Sequence, residues 1–354
     1  MRLSTSLLFM PVAGVLAQGS ASVYKKRLTG EDLDTGARWG VAGTDLGIPY
    51  VLENGSIGYL FGDTFSTQWP DDGNGWRSPV LLRSNVHPGE PDGVIFDSAA
   101  GIAGDGLAPE IMYNGHTTDD GAGNFEYSVI PNDGISFPET GQQIISYMSI
   151  LSWDPWSTNY AGLAISDDGN TYKRLTSVFW NDADNLDPFQ MWTMQRDGDY
   201  VYIFSVRAGR QDGPMMLRRV KWDQMVDVEA YESWGENGED GKLAWGETAT
   251  PLFEGIIGEP SVRKLDDGTW AMVYLDLGVT PNAIVSRTAE GPTKKWSEPK
   301  VQITSVDEPN LYGGFIHPWS TSKEGDLHTM VSRWSRDESG HTTHYHMSQY
   351  VGTL

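Results

Sequence analysis

Apolar and polar residues along this chain alternate in short runs; they do not recur at the three- and four-residue spacing of a helix face. Runs rich in β-branched and aromatic residues fall at 57–62, 144–150, 200–206, 270–275 and 327–332. Each is followed by a second apolar segment, at 80–82, 162–165, 216–220, 283–285 and 345–347. This is the signature of paired antiparallel strands. The starts of the pairs lie roughly 55 to 90 residues apart, the range of a four-stranded propeller blade with variable loops. The pattern therefore predicts an all-β chain built as a five-bladed β-propeller in a single domain. A β-sandwich is the alternative, but its strands come at more even spacing.

Turn chemistry agrees with this reading. Ser166-Asp167-Asp168-Gly169-Asn170-Thr171-Tyr172 has the spacing of the Asp-box hairpin turn of propeller blades, and Leu265-Asp266-Asp267-Gly268-Thr269-Trp270 looks like a shorter version. In such turns the carboxylate accepts backbone N–H groups and glycine supplies a positive φ, so the motif is structural. Helix signals are nearly absent, and only 222–231 is expected to form a short helix.

Composition narrows the chemistry. With 48 acidic against 25 basic side chains the formal net charge is −23, which argues against nucleic acid and anionic membrane as partners. There are no cysteines, so disulfides, thiolate metal sites and cysteine nucleophiles are excluded. Residues 1–17 carry one positive charge, a short apolar run and Ala17 at a plausible cleavage point, which reads as a secretory signal peptide. A secreted, extracellular, monomeric catalytic domain over 18–354 is the expectation. No linker or low-complexity tract interrupts it.

A propeller gathers one end of its innermost strands around a central pocket, so acids embedded in apolar strands are the ones to weigh. Three stand out: Asp45 in Gly43-Thr44-Asp45-Leu46-Gly47, Asp63 at the end of the 57–62 run, and Glu259 in Gly258-Glu259-Pro260-Ser261-Val262. A carboxylate in such a setting costs several kcal/mol unless it is paired, hydrogen-bonded or protonated. The plain alternative for each is a bond to neighbouring backbone that holds blades together. Converging carboxylates without a metalloprotease motif, P-loop or dinucleotide fingerprint suggest glycoside hydrolysis, which needs one protonated and one ionised acid. No cofactor or metal is expected.

Indoles stack on the apolar faces of sugar rings, so Trp69, Trp76, Trp153, Trp156, Trp192 and Trp319 are candidate walls, each with a blade-core alternative. Trp153-Asp154-Pro155-Trp156 reads as a loop wall, because two Trp flanking Asp-Pro do not both face one core. His317 is expected at the mouth of the fifth unit, bonding substrate or an ion. His341, His344 and His346 read as surface-strand residues.

Five ordered motifs resemble those of a family of secreted five-bladed propellers, formerly catalogued as a domain of unknown function, that includes endo-D-arabinanases. They are Gly43-Thr44-Asp45-Leu46-Gly47, Leu60-Phe61-Gly62-Asp63-Thr64, the segment 156–164, Gly258-Glu259-Pro260-Ser261-Val262, and Tyr312-Gly313-Gly314-Phe315-Ile316-His317-Pro318. They span 41–334, nearly all of the expected mature chain. The resemblance implies cleavage of a furanosidic polysaccharide, most of all D-arabinan, by a catalytic pair Asp45 and Asp63. Glu259 would be an assisting or structural acid, and this chain carries Pro260 where the family usually has an apolar residue such as Leu. From the residues and these motifs together, the expected substrate contacts are Trp153, Trp156, Asn159, Tyr160, His317 and Trp319. The stretch 92–139 has no counterpart in the motifs and is expected to reshape the cleft. Two other readings stand beside this one. A sialidase-like hydrolase would need channel arginines such as Arg207, Arg263, Arg287 and Arg333 to clamp an anionic substrate. A non-catalytic sugar-binding propeller would keep the aromatics without a working acid pair.

Overall fold

The computed structural model describes residues 19–68, 71, 73–238 and 241–354, and the proposed signal peptide and Trp69 lie outside them. The chain is all-β. Successive antiparallel meanders follow one another along it: Gly43–Val51, Ile57–Phe65, Val80–Ser84 and Ser98–Ala99 form the first. Ser128–Phe137, Gln142–Trp153, Trp156–Ser166 and Lys173–Asn181 form the second. The third runs through Met191–Asp197, Tyr200–Val206, Asp212–Lys221 and Glu232–Glu236, and the fourth through Phe253–Lys264, Trp270–Asp276, Ala283–Ala289 and Lys300–Thr304. These two share one larger sheet, because Asp212–Met215 pairs with Phe253–Ile256. In the fifth, Leu311–Ile316, Leu327–Arg336 and Thr342–Gly352 are completed by Val23–Arg27 from the other end of the chain.

The runs that stand out in the sequence are the second and third strands of each meander. Those strands are buried on both faces and so read as continuous apolar segments. The leading strands are less regular, yet they are the ones that meet. Gly43–Val51 packs on Ser128–Phe137 and on Leu311–Ile316, Met191–Asp197 packs on Ser128–Phe137 and on Phe253–Lys264, and Phe253–Lys264 packs on Leu311–Ile316. Among the described residues no sheet closes on itself, and side chains join one leading strand to the next.

The central joint is a buried ion pair. Arg263 donates from Nη1 and Nη2 to the two carboxylate oxygens of Asp133, each at 3.0 Å, and from Nη2 to the Pro49 carbonyl at 2.7 Å. Asp133 Oδ2 also accepts from the Thr193 hydroxyl and the Met194 N–H, at 2.9 and 2.8 Å. One carboxylate and one guanidinium thus tie together the leading strands of the first four meanders. The fifth is attached by the Ile316 N–H to Ser261 Oγ and the Leu46 N–H to Ser332 Oγ.

Local expectations fare unevenly. The Asp-box turn forms as expected: Asp168 Oδ1 accepts from Asn170 and Thr171 N–H and from the Ser166 hydroxyl, with Gly169 at φ 65°. The helix expected over 222–231 is instead two 3-10 turns, Trp222–Gln224 and Val228–Ala230, while a six-residue helix forms at Asp34–Trp39.

Replacing Arg263 with Met leaves Asp133, only 1% exposed, without its countercharge. The expected loss is about 3–5 kcal/mol of stability, read from urea unfolding, and removing both charges in Arg263→Met with Asp133→Leu recovers part of it. A loss under about 1 kcal/mol for the single variant would mean that the pair is not the joint described.

Candidate functional site

A cavity of about 670 Å³ opens where the leading strands converge. Asp45, Leu46, Ile130, Asn132, Met191, Glu259 and Tyr312 reach it from leading strands, and Asp63 and Tyr345 from neighbouring ones. Its size is that of a small-molecule site.

Backbone irregularity aims the acids. The pairing of Gly43–Val51 with Ile57–Phe65 slips on both sides of Leu46, which sits at φ 63° with Gly47 at φ 70°. A bulge of this kind re-aims side chains and turns Asp45 toward the cavity. Glycine is favoured there by the left-handed φ, and a Cβ would lie 1.8 Å from Met347 Sδ, so the Met347 side chain would have to move. The fourth leading strand slips between Gly258 and Ser261, with Glu259 at φ 37°. A non-glycine residue held in this region marks a conformation maintained by its surroundings.

Asp45 is half-buried. The Tyr312 hydroxyl donates to its Oδ2 at 3.0 Å, while Oδ1 takes no hydrogen bond. Burial, followed by the neighbouring Asp63 carboxylate, pushes Asp45 up to about 7, against the pull of the Tyr312 and Tyr345 hydroxyls. Glu259 adds a weaker push in the same direction. Asp63 is also raised by burial, but indole Nε1 of Trp76 and the Ser128 hydroxyl donate to its Oδ1 at 2.7 and 2.8 Å, and the His116 imidazole opposes the shift as well. Two donors favour the ionised form of Asp63, whereas Asp45 has the environment of a carboxyl that keeps its proton.

Glu259 is committed differently. Its Oε1 receives both Nε and Nη2 of Arg210, whose guanidinium lies 5.2 Å from the Trp156 ring centroid and 5.0 Å from that of Tyr312. Its Oε2 is buried and unpartnered. Residues of the 92–139 stretch line the cleft, among them Tyr127, Ile130 and Asn132; its Ser128 bonds Asp63, and its His116 meets Trp76 edge-on at 4.5 Å, with Glu110 at 2.6 Å from His116 Nε2. Arg210, Tyr345, His116 and Trp334 were not singled out by sequence, and Tyr312 stood there only as the first residue of a motif. Tyrosines, tryptophans and isolated arginines in strands read as core or surface, and no spacing marks them.

Of the expected substrate contacts, Trp153 and Trp156 do line the cavity, facing each other across the turn between two strands with ring centroids 5.5 Å apart. Trp76 and Trp192 line it as well. Four others are placed elsewhere. Asn159 donates to the Phe125 carbonyl and Ser149, and the Tyr160 hydroxyl donates to Asp120, so both hold the Thr118–Asp119 and Phe125–Glu126 hairpin against the second meander. His317 is not at a mouth. It is fully buried, bonded through Nε2 to the Tyr59 hydroxyl and through Nδ1 to the Trp319 N–H, and burial keeps it neutral. Trp319 stacks on His87 at 5.6 Å, outside the cavity. The arginines of a sialidase clamp are also engaged elsewhere: Arg263 holds Asp133, Arg207 bonds the Leu186 and Asp212 carbonyls, Arg287 the Tyr274 hydroxyl, and Arg333 the Pro309 carbonyl. Among the described residues no group of three or more His, Asp or Glu side chains is arranged to hold a metal ion.

The profile of the domain of unknown function DUF4185 matches residues 31–350. The chain belongs to the DUF4185 family. It is 56% identical over 342 residues to the notoamide biosynthesis cluster protein J' of Aspergillus versicolor, covering 95% of this chain and 94% of that protein. Among solved structures it resembles a Bacteroides ovatus protein assigned provisionally to the hydrolases, at TM-score 0.59 and 16% identity over 89% of this chain and 86% of that one. It also resembles the catalytic domain of a Coprinopsis cinerea α-L-arabinofuranosidase, at TM-score 0.52 and 8% identity over 95% and 98%. At these identities the likeness is one of fold, an all-β architecture shared with propeller-fold glycoside hydrolases.

The raised pKa of Asp45 has a consequence for stability that needs no substrate. Its proton is held more tightly in the folded chain than in the unfolded one, so the wild type loses stability as pH rises from about 4 toward 7. Asp45→Asn does not titrate. Its melting temperature relative to wild type is therefore expected to climb across that window and level off above it, and a difference independent of pH would place Asp45 in a solvent-like setting.

Proposed function

We propose that this DUF4185 protein is a glycoside hydrolase whose acid is Asp45 and whose ionised partner is Asp63. The observation that supports it is the pair itself: two carboxylates on adjacent strands facing one cavity, one lacking donors to an oxygen and raised to about 7, the other held by Trp76 and Ser128. In this reading Asp45 gives its proton to the leaving oxygen as the glycosidic C–O bond breaks. Asp63 either takes the proton of the attacking water or forms a glycosyl ester that water then opens, with Asp45 returning as base. A carboxylate separation of about 5 Å would favour the second route and about 6.5–9.5 Å the first. Glu259 and Arg210, paired with each other, position Tyr312 and Trp156 around the reacting centre.

The fold in this proposal is a five-bladed propeller in one domain, its blades being the successive meanders, and the chain is secreted after removal of residues 1–17. The sugar is furanosidic. D-arabinan is the polymer that the sequence motifs favour, and the full-length likeness to a biosynthesis-cluster protein adds glycosylated pathway intermediates to the same trial.

The test is release of reducing sugar or aglycone from D-arabinan, L-arabinan and aryl furanosides. Asp45→Asn and Asp63→Asn are each expected to lose on the order of 10²–10⁴ in kcat with an unchanged fold. Wild-type activity should fall as pH rises through about 7. Tyr345→Phe removes a donor to ionised Asp45 and should move that limb upward. Near-wild-type rates in both Asn variants would refute the assignment.

A further inference from the structure

The cavity holds more negative charge than its own cations neutralise. Arg210 is committed to Glu259, Arg336 approaches Asp71 at 3.5 Å, and His116 is bonded to Glu110. Asp45 and Asp63 have no arginine or lysine partner among the described lining residues.

The unsatisfied hydrogen-bonding atoms have the same bias. Asn132 Oδ1 and Glu259 Oε2 are buried acceptors without a donor, Asp45 Oδ1 joins them once that carboxyl ionises, and Glu259 is only 6% exposed. Against these three stands one lining donor without an acceptor, Trp156 Nε1. A buried acceptor left unpaired costs about 1–3 kcal/mol, so such a set favours a ligand that brings hydrogen-bond donors.

Aromatic rings enclose this charge. Phe65 stacks on Trp76 at 6.5 Å, Trp76 meets Tyr127 and Tyr127 meets Trp153 at 6.2 Å each, Trp153 meets Trp156 at 5.5 Å, and Tyr345 meets Phe65 at 6.1 Å. Ring faces attract ammonium groups, more strongly once water is excluded.

We propose that the cavity binds a protonated amine carried on a flat apolar ring system, with the ammonium directed at Asp45 and Asp63 and the rings against the aromatic walls. It is a statement about binding and goes beyond the hydrolase reading, since an ammonium paired with Asp45 ionises the carboxyl that reading uses as its acid.

The test is calorimetric titration of the full-length protein at pH 8 with 2-(2-naphthyl)ethylamine, its uncharged isostere 2-(2-naphthyl)ethanol, and D-arabino-oligosaccharides. The amine should bind at least tenfold more tightly than the alcohol, and Asp63→Asn should abolish that preference while leaving alcohol binding in place. At pH 7 amine binding should release a proton from Asp45, read as a dependence of the heat on buffer ionisation enthalpy. Equal affinities for amine and alcohol, no amine binding, or tighter binding of the oligosaccharide would overturn the proposal. The outcomes separate from those of the hydrolase reading. Cleavage of neutral furanosides that is lost in Asp45→Asn, without amine preference, sinks only this inference, and amine preference without cleavage of any glycoside sinks only the other.

Discussion

The leading strands of this protein lie side by side without a backbone ladder between them, and everything at its centre follows from how that gap is filled. Strands joined only by packing leave polar backbone groups facing one another in a dry interior, where each must find a partner. Arg263 and Asp133 meet that demand at the middle, with Pro49, Thr193 and Met194 completing the set. A buried pair of this kind adds little net stability over an apolar substitute, but it is costly to break from one side. Its effect is to fix the relative position of four strands, and with them whatever those strands carry at the cavity.

What they carry is aimed by irregularity. Leu46, Glu259 and Gly313 have positive φ, and each lies where strand pairing slips. Regular strands would alternate side chains between faces, whereas the slips turn an acid or a tyrosine toward the cavity. The resulting carboxylates share one enclosed space but not one environment. Two donors hold Oδ1 of Asp63, an oxygen of Asp45 has none, and Glu259 is tied to Arg210. Burial raises both aspartates, the donors restrain Asp63, and the repulsion between the two adds to the rise of Asp45. Acid–base chemistry near neutral pH is built from such a difference.

Sequence reading found the acids because charged residues inside apolar runs violate strand patterning, and that violation is visible in one dimension. The second and third strand of each meander were visible for the converse reason, as uninterrupted apolar runs. Arg210 and Tyr345 were not, since a tyrosine or arginine in a strand breaks no rule. Val23–Arg27 was missed because its Lys25-Lys26-Arg27 end shows no alternation, although it completes the last sheet. His317 and Trp319 were misplaced by adjacency: they follow a strand whose earlier residue, Tyr312, does reach the cavity, but the chain has by then passed into the packing around Tyr59 and His87. Asn159 and Tyr160 fail in the same manner beside Trp156, held by a hairpin that no motif announces.

The claim most exposed to test is that Asp45 and Asp63 sit in unequal surroundings within one cavity. Carbon NMR of protein labelled with [γ-13C]aspartate, assigned with the Asp45→Asn and Asp63→Asn variants and titrated from pH 3 to 9, reads both carboxyls directly. Asp45 should titrate near 7 and Asp63 below it, with the Asp45 midpoint falling in Asp63→Asn. Two carboxyls titrating together near 4, each indifferent to loss of the other, would contradict the account.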